Sequence, residues 1–345
     1  MSYNFQSSQK KEYNIGIGIL RVFLSFMVII DHLYDRKKYP AYIYFLCYHI
    51  PTFFLLSFFY TSKTLKSFNI NKIKMRLERI IIPYFSWYII YWIFNNIYFY
   101  LFNINKSHSL KDFIYNLLNG RSFNAALWFQ IILILLTIIF LIIIFLFKNY
   151  YMNILVTLGI LSYILQYTGL NYEFFTNYFP YHYKITYGRI AEGFPHAITG
   201  FYISSNNLMK LLKNNIRNTI TNSIIILIFI TKLKVFLDID TFKYGGIRLN
   251  IGAICFLFIF FFFPSKKIKN EFLIKIIIKL TNYTGGIYFL HILIGRGYIL
   301  KKIFTILTIK RHTIFHCITV FIISHILCLF GTKLFGRTKF KHLFA

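Results

Sequence analysis

Apolar runs recur along almost the whole chain and alternate with short polar segments. Each run holds about 20 residues, the length that an α-helix needs to span the hydrocarbon core of a bilayer. The runs are too long and too uniformly apolar for the alternating strands of a membrane β-barrel. The pattern therefore predicts an all-α fold, a polytopic integral membrane helix bundle with about ten transmembrane helices.

Ten candidate spans can be drawn from these runs, and the charges between them set the topology. The spans cover residues 14–33, 41–61, 81–102, 125–147, 151–169, 185–204, 218–237, 247–264, 281–297 and 314–332. Because their number is even, both termini lie on the same side of the membrane. Lysines and arginines concentrate after the second span, after the eighth and behind the last, so the positive-inside rule places that side in the cytoplasm.

The chain is therefore expected to be one multi-pass unit in the plasma (inner) membrane. We predict a cytoplasmic N-terminal tail over residues 1–13, a single transmembrane domain over residues 14–332 and a basic cytoplasmic tail over residues 333–345. A further basic segment, Arg296 to Arg311, falls on the side opposite to the predicted cytoplasmic one. This segment either forms an interfacial helix or shifts the ninth span, so the number of spans near residues 296–313 stays open, as does the oligomeric state.

The composition agrees with a membrane protein and narrows its partners. Of the 345 residues, 57% are hydrophobic, and the mean hydropathy is +0.57. The net charge of +29 would indicate nucleic-acid binding in a soluble protein, but most cations here lie between apolar runs. They therefore indicate contact with anionic membrane lipid and no nucleic acid. The four cysteines lie in apolar segments and the ten histidines are scattered, so neither a disulfide framework nor a metal site is predicted.

The first span carries an arginine and a histidine inside its apolar run. Ten residues separate Arg21 from His32, which on an α-helix gives nearly the same face at a separation of roughly 16 Å. Ionisable groups within membrane spans are expensive and are candidates for function by default. His32 has the side chain of a general base at neutral pH, and Arg21 suits a phosphate or a developing oxyanion. The alternative is that the pair only anchors the helix at the membrane interfaces.

Two arginines mark the segment before the third span. Arg76 and Arg79 lie at i and i+3, so they share a helix face at the predicted cytoplasmic mouth of that span. Pro83 bends or starts the span. Paired guanidinium groups suit a phosphate-rich ligand, and the alternative is ordinary positive-inside charge.

The sixth span carries a stripe of three ionisable residues. Arg189, Glu192 and His196 follow at i, i+3 and i+7, so their face points to a cavity or to another helix rather than to lipid. The face either lines a substrate path or forms a structural ion pair, since arginine and glutamate neutralise each other.

Two further patches lie in the ninth and fourth spans. Thr284, Tyr288 and His291 follow at i, i+4 and i+7 around a double glycine that allows close helix packing. His291 is either a site residue or a buried packing histidine. Trp128, at the outer start of the fourth span, belongs either to a site or to the aromatic belt. Together the polar stripes predict that the bundle encloses a polar cavity.

In this order the motifs resemble those of the membrane-bound acyltransferase 3 family, which O-acylates surface carbohydrates. Arg21 and His32 match the family's motif of an arginine or lysine, ten residues and a histidine. Arg76 and Arg79 match its R-x-x-R motif. Weaker resemblance covers residues 127–129, 194–200 and 286–291. Asp31, directly before the histidine, departs from the family pattern.

The resemblance implies a membrane O-acyltransferase. It would move an acyl group, with acetyl as the first candidate, from acyl-CoA to a hydroxyl of a cell-envelope polysaccharide or lipid-linked glycan. His32 would act as general base or carry the acyl group transiently, and Arg21 would hold the pantetheine-thioester end or stabilise the oxyanion. Arg76 and Arg79 would bind the phosphates of acyl-CoA, a co-substrate, and no tightly bound cofactor is expected. The remaining predicted site residues are Arg189, Glu192, His196, Trp128, Tyr288 and His291.

Two other classes of protein share some of these features. An exporter of a polysaccharide or lipid-linked sugar would use the buried charges as substrate ligands, and an internal inverted repeat would support it. No such repeat is visible in the sequence. A purely structural membrane subunit is disfavoured, because each ionisable stripe costs stability without a task.

Overall fold

The computed structural model describes residues 13–34, 48–101, 109–118, 127–167, 181–206, 208–237, 246–263, 268, 270–296 and 312–344. Within these ranges the chain forms helices and no strands, which confirms the all-helical prediction. The α-helices are α1 (Ile15–Leu33), α2 (His49–Lys66), α3 (Ile70–Leu101), α4 (Leu110–Leu118), α5 (Trp128–Leu146), α6 (Tyr151–Tyr167), α7 (Tyr181–Ser205), α8 (Leu208–Leu212), α9 (Ile216–Leu237), α10 (Ile247–Phe261), α11 (Glu271–Asn282), α12 (Thr284–Arg296) and α13 (Ile314–Leu334). Short 3-10 helices cover Lys213–Asn215 and Lys339–Leu343.

Four of the described helices are long and apolar enough to cross a membrane. They are α1, α3, α5 and α13. The apolar stretches of α6, α10 and α12 are shorter. Each predicted span coincides with a helix over at least part of its length, so the apolar runs located the helices although only four of them meet the length and hydropathy expected of a full span.

Helix α3 begins at Ile70, well before the third predicted span. The charged segment before the predicted span forms the first turns of this helix. Its start is capped by Asn69, whose side-chain oxygen accepts a hydrogen bond from the backbone N–H of Lys72 at 3.0 Å. Lysine, arginine and glutamate are also strong helix formers. Arg76 and Arg79 therefore both project from this helix, as their spacing predicted.

Helix α1 packs against α12, and the two helices run in the same direction. Just before α12 begins, Thr281 Oγ1 at the end of α11 donates a hydrogen bond to the Gly18 carbonyl oxygen of α1 at 3.1 Å. Near their ends, the Leu33 side chain fills the space that a Cβ at Gly295 would occupy. Because the contacts follow in the same order along both helices, the helices are parallel. The polar stripe of α1 therefore faces the polar stripe of α12.

An aromatic core joins α2, α5 and α7. The ring centroids of Phe58 and Phe140 are 4.5 Å apart, and those of Phe140 and Phe201 are 5.3 Å apart. Helices α2 and α7 approach so closely that a Cβ at Gly200 would overlap the Leu55 carbonyl oxygen. This packing holds α2 and α5 in place as two walls of the site described below.

The 3-10 helix at Lys339–Leu343 folds back onto the bundle. Trp87 Nε1 of α3 donates a hydrogen bond to the Leu343 carbonyl oxygen at 3.1 Å. Phe344 lies against Gly286 and Gly331, where any larger side chain would displace it. The end of the chain is thus a packed element between α3, α12 and α13.

Candidate functional site

The polar stripes of the first and ninth predicted spans meet in the structure. Arg21 Nη2 donates a hydrogen bond to Thr284 Oγ1 at 3.0 Å. The Thr284 hydroxyl in turn donates to the Thr281 carbonyl oxygen at 3.0 Å, which orients its lone pairs toward the guanidinium group. Two motifs that lie more than 250 residues apart in sequence therefore form one seam between α1 and α12.

The other end of this seam holds two histidines. The ring centroids of His32 and His291 are 5.2 Å apart, with an interplanar angle of 32°. His291 is fully buried, and its Nδ1 lies 3.1 Å from the Ile287 carbonyl oxygen. In the neutral ring Nδ1 is then the donor and Nε2 carries the lone pair. The structure thus places a buried imidazole of defined tautomer directly against the predicted catalytic histidine.

An inner cavity of about 330 Å³ opens beside Arg21. Helices α1, α2, α3, α5 and α12 all contribute to its wall. The lining residues are Arg21, Phe53, Leu56, Ser57, Tyr60, Thr61, Arg76, Phe129, Gln130, Leu133, Thr284, Gly285 and Tyr288. The cavity therefore combines two guanidinium groups with hydroxyls and aromatic rings. This lining suits an elongated ligand that carries both polar and apolar groups.

Arg76 is held in the wall of the inner cavity by α2 and α5. Its Nη2 donates to Ser57 Oγ at 3.1 Å and to Thr137 Oγ1 at 3.3 Å, and its guanidinium carbon lies 5.5 Å from the centroid of the Phe58 ring. Among the described residues, neither Arg76 Nε nor the Gln130 side-chain oxygen has a hydrogen-bond partner, although both atoms are buried. A buried polar atom without a partner calls for an explanation, such as a ligand or a water that occupies the adjacent cavity.

An outer cavity of about 510 Å³ lies on the other side of Arg21. It is lined by Arg21, Arg79, Asn282, Tyr283, Thr332, Gly336, Lys341 and His342. Burial lowers the pKa of His342, and the positive charges of Arg79 and Lys341 lower it further. The outer cavity is therefore strongly basic, and Arg21 is the residue that the two cavities share.

The two arginines of the R-x-x-R segment consequently serve different cavities. Arg76 lines the inner one and Arg79 the outer one. Their spacing of three residues places both on the face of α3 that looks toward Arg21, at successive turns. A single extended ligand lying along this face would meet all three arginines.

The stripe of the sixth predicted span lies outside both cavities. His196 Nδ1 is 3.2 Å from Asn250 Oδ1, and Asn250 Nδ2 donates to Tyr163 OH at 2.6 Å and to Thr199 Oγ1 at 2.8 Å. These residues link α6, α7 and α10 in a closed polar network.

Of the remaining predicted site residues, one lines a cavity and three do not. Arg189 stacks on Trp128, with its guanidinium carbon 4.0 Å from the ring centroid. Neither residue, nor Glu192 beside them in α7, lines the inner or the outer cavity. Tyr288 lines the inner cavity, and its ring centroid lies 6.1 Å from that of His291. The structure therefore brings the Arg21/His32, Arg76/Arg79 and Thr284/Tyr288/His291 motifs to the two cavities and their seam. The stripe of Arg189, Glu192 and His196 lies apart from these two cavities.

Several lining residues were not singled out from the sequence. Ser57, Tyr60 and Thr61 form a polar stripe on α2 at i, i+3 and i+4, a signal that the sequence carries. Lys341 and His342 fall within the predicted basic tail, and both line the outer cavity.

Comparison with protein families adds an independent finding to this geometry. A family model described as an acyltransferase domain matches residues 14–335, nearly the whole chain. The match confirms the resemblance that Arg21, His32, Arg76 and Arg79 predicted. Comparison with curated proteins and with solved structures found no match.

Proposed function

The chain belongs to the acyltransferase 3 family and is a membrane acyltransferase, and from this premise we propose that it acylates a carbohydrate hydroxyl. The donor is acyl-CoA, with acetyl-CoA as the first candidate. The acceptor is a cell-envelope polysaccharide or a lipid-linked glycan. The observation that carries the proposal is the position of Arg21 at the junction of two cavities, on a seam that leads to His32 and His291.

The proposal includes a topology of about ten spans around a polar cavity in the plasma membrane, with both termini in the cytoplasm. Two features support it. Each predicted span contains helix, and α1 and α12, the first and ninth spans, run parallel as two odd-numbered spans must. In this topology the outer cavity, the one lined by Arg79, Lys341 and His342, faces the cytoplasm, where acyl-CoA is available. His32 lies farther across the membrane.

The donor binds along the arginine face of α3. Arg79 in the outer cavity attracts the phosphate groups, and Arg76 in the inner cavity lies beside the pantetheine arm. Because Arg21 and His32 are separated by roughly 16 Å along α1, Arg21 holds the donor arm and the thioester lies nearer to His32. No tightly bound cofactor is required for this chemistry.

His32 acts as the general base in the transfer step. It removes the proton of the acceptor hydroxyl, the oxygen attacks the thioester carbonyl carbon, and a tetrahedral oxyanion forms. The intermediate collapses by breaking the carbon–sulfur bond, and the CoA thiolate takes the proton from His32. The buried ring of His291 holds the His32 ring in place. In a variant of the same scheme, His32 first accepts the acyl group and then passes it to the hydroxyl.

Transfer of radiolabel tests the proposal. Membranes containing the wild-type chain, His32→Ala or Arg21→Ala receive labelled acetyl-CoA and purified envelope glycan at equal protein expression. His325→Ala is the control, because it removes the same side chain from a helix position that lines neither cavity. We expect label in the glycan with the wild type and the control, and loss of label with both site variants.

Two results would contradict the proposal. Label that survives in His32→Ala and Arg21→Ala would remove the pair from the chemistry. No label with the wild type across several acyl donors would instead direct attention to export of a glycan, an activity that the family match does not support.

A further inference from the structure

The outer cavity has a wall built from the last residues of the chain. Lys341 and His342 line it from the 3-10 helix at Lys339–Leu343, while Arg79 lines it from α3 and Arg21 from α1. Four basic side chains from three separate segments thus face one volume. Charges that only set topology have no reason to converge in this way, because they act through their number on one side of the membrane.

Specific contacts hold this terminal segment in place. Thr338 Oγ1 accepts a hydrogen bond from the Phe340 backbone N–H at 3.2 Å and so caps the short helix. The rings of Phe335 and Phe344 stack with centroids 5.8 Å apart and an interplanar angle of 6°. The hydrogen bond from Trp87 to Leu343 ties the segment to α3. Lys341 and His342 are consequently presented to the cavity by a packed element.

The charges of this cavity favour a multiply charged anion. Arg21 and Arg79 bring guanidinium groups to the cavity, Lys341 brings an ammonium group, and His342 adds a ring nitrogen that can donate a hydrogen bond. Glu78 also acts electrostatically on His342 and opposes the cations with one negative charge. A single carboxylate would leave most of this positive charge unbalanced, whereas phosphate esters and diphosphates carry enough charge to match it.

We propose that the C-terminal segment is part of the donor site, in which Lys341 and His342 bind the phosphate groups of the acyl donor together with Arg79. This inference rests on the proposed function for the identity of the donor. It assigns two binding residues to a tail that topology alone would treat as a membrane-facing charge cluster. The docked segment would then act as a wall of the donor site, closed by the packing of Phe344.

Binding measurements on the full-length, detergent-purified chain test this assignment. The ligands are CoA, pantetheine, which lacks the phosphates, and a short isoprenyl diphosphate, which represents a lipid-linked acceptor. The variants are Lys341→Gln and His342→Gln. Arg337→Gln is the matched control, since Arg337 is an exposed cation of the same terminal segment that does not line the cavity.

We expect Lys341→Gln to weaken CoA binding about tenfold, the scale of one lost charge-assisted hydrogen bond. His342→Gln should weaken it less, because glutamine retains a donor. Pantetheine binding should not change in either variant, which also shows that each variant is folded. Arg337→Gln should bind all three ligands as the wild type does.

Other binding results would overturn the phosphate site, the identity of the donor, or both proposals. Wild-type affinity for CoA in both variants, or equal affinity of the wild type for CoA and pantetheine, overturns the phosphate site while leaving the proposed function intact. Binding of the isoprenyl diphosphate that depends on Lys341, without binding of CoA, overturns the assignment to the donor and the proposed donor itself. Binding of none of the three ligands overturns both proposals.

Discussion

The seam between α1 and α12 and the network around Asn250 both place polar side chains between apolar helices, yet their polar groups have different surroundings. In the seam, Arg21 donates to Thr284 and still faces two cavities. In the network, the Asn250 amide engages His196, Tyr163 and Thr199. None of these four residues lines either cavity.

The difference separates two reasons for burying polarity in a membrane protein. Hydrogen bonds between membrane helices stabilise packing, typically by about 0.6 kcal/mol each. The hydrogen bonds around Asn250 stabilise the packing of α6, α7 and α10 in this way. A guanidinium group that borders an accessible volume can offer donors to a ligand, and for this reason we assign chemistry to the seam and structure to the network.

The largest expected effect comes from removing the charge of the seam. Arg21→Gln keeps a donor for Thr284 but removes the cation that both cavities share. We expect transfer to fall by about a hundredfold, because losing a buried charged contact to the donor arm costs about 2 to 5 kcal/mol of binding. The measurement is the initial rate of label transfer from acetyl-CoA at equal amounts of folded protein.

The control for this variant is Arg217→Gln. Arg217 is an exposed arginine of α9 outside both cavities, so its loss changes the net charge equally. A similar fall in both variants would mean that bulk positive charge, rather than the position of Arg21, governs the activity.

A smaller effect is expected from the second histidine of the seam. His291→Gln removes the ring that lies 5.2 Å from His32 but leaves His32 itself in place. We expect kcat to fall about tenfold through looser placement of the base, with the KM for acyl-CoA unchanged. Steady-state kinetics with purified protein separate the two constants.

His325→Gln sharpens this test. Both histidines are buried and both bond the carbonyl oxygen four residues earlier, but His325 packs on Phe321 and not on His32. Equal losses of kcat in the two variants would show that burying an imidazole matters for folding only, and the role of His291 in positioning His32 would have to be abandoned.

The helices illustrate what the pattern of the sequence reveals and what it hides. Apolar runs locate α1, α5 and α13 within a few residues, because hydrophobic length is itself the physical requirement for a span. The start of α3 was missed, because the segment between Ile70 and Pro83 is rich in charges and hydropathy does not register a polar helix. Helix propensity and the Asn69 cap carry that information instead.

In the site, too, the sequence pattern predicts some features and not others. The spacing of Arg21 and His32, and that of Thr284 and His291, correctly gave the residues that share a face. That these two faces meet is a long-range pairing, and one sequence holds no signal for it. The stripe containing His196 has the same period and equal polarity, so only the packing distinguishes a closed network from an open seam.

The smallest expected effect on transfer comes from breaking the closed network. Asn250→Leu removes three hydrogen bonds at nearly constant volume and should lower the free energy of unfolding by about 1 to 2 kcal/mol. Transfer per folded molecule should stay unchanged, because no network residue touches either cavity. Thermal unfolding in detergent, read beside label transfer, measures both quantities. Thr199→Val removes one bond from Asn250 and should cost less. A loss of transfer in folded Asn250→Leu protein would place the network in the functional site and erase the distinction between the two regions.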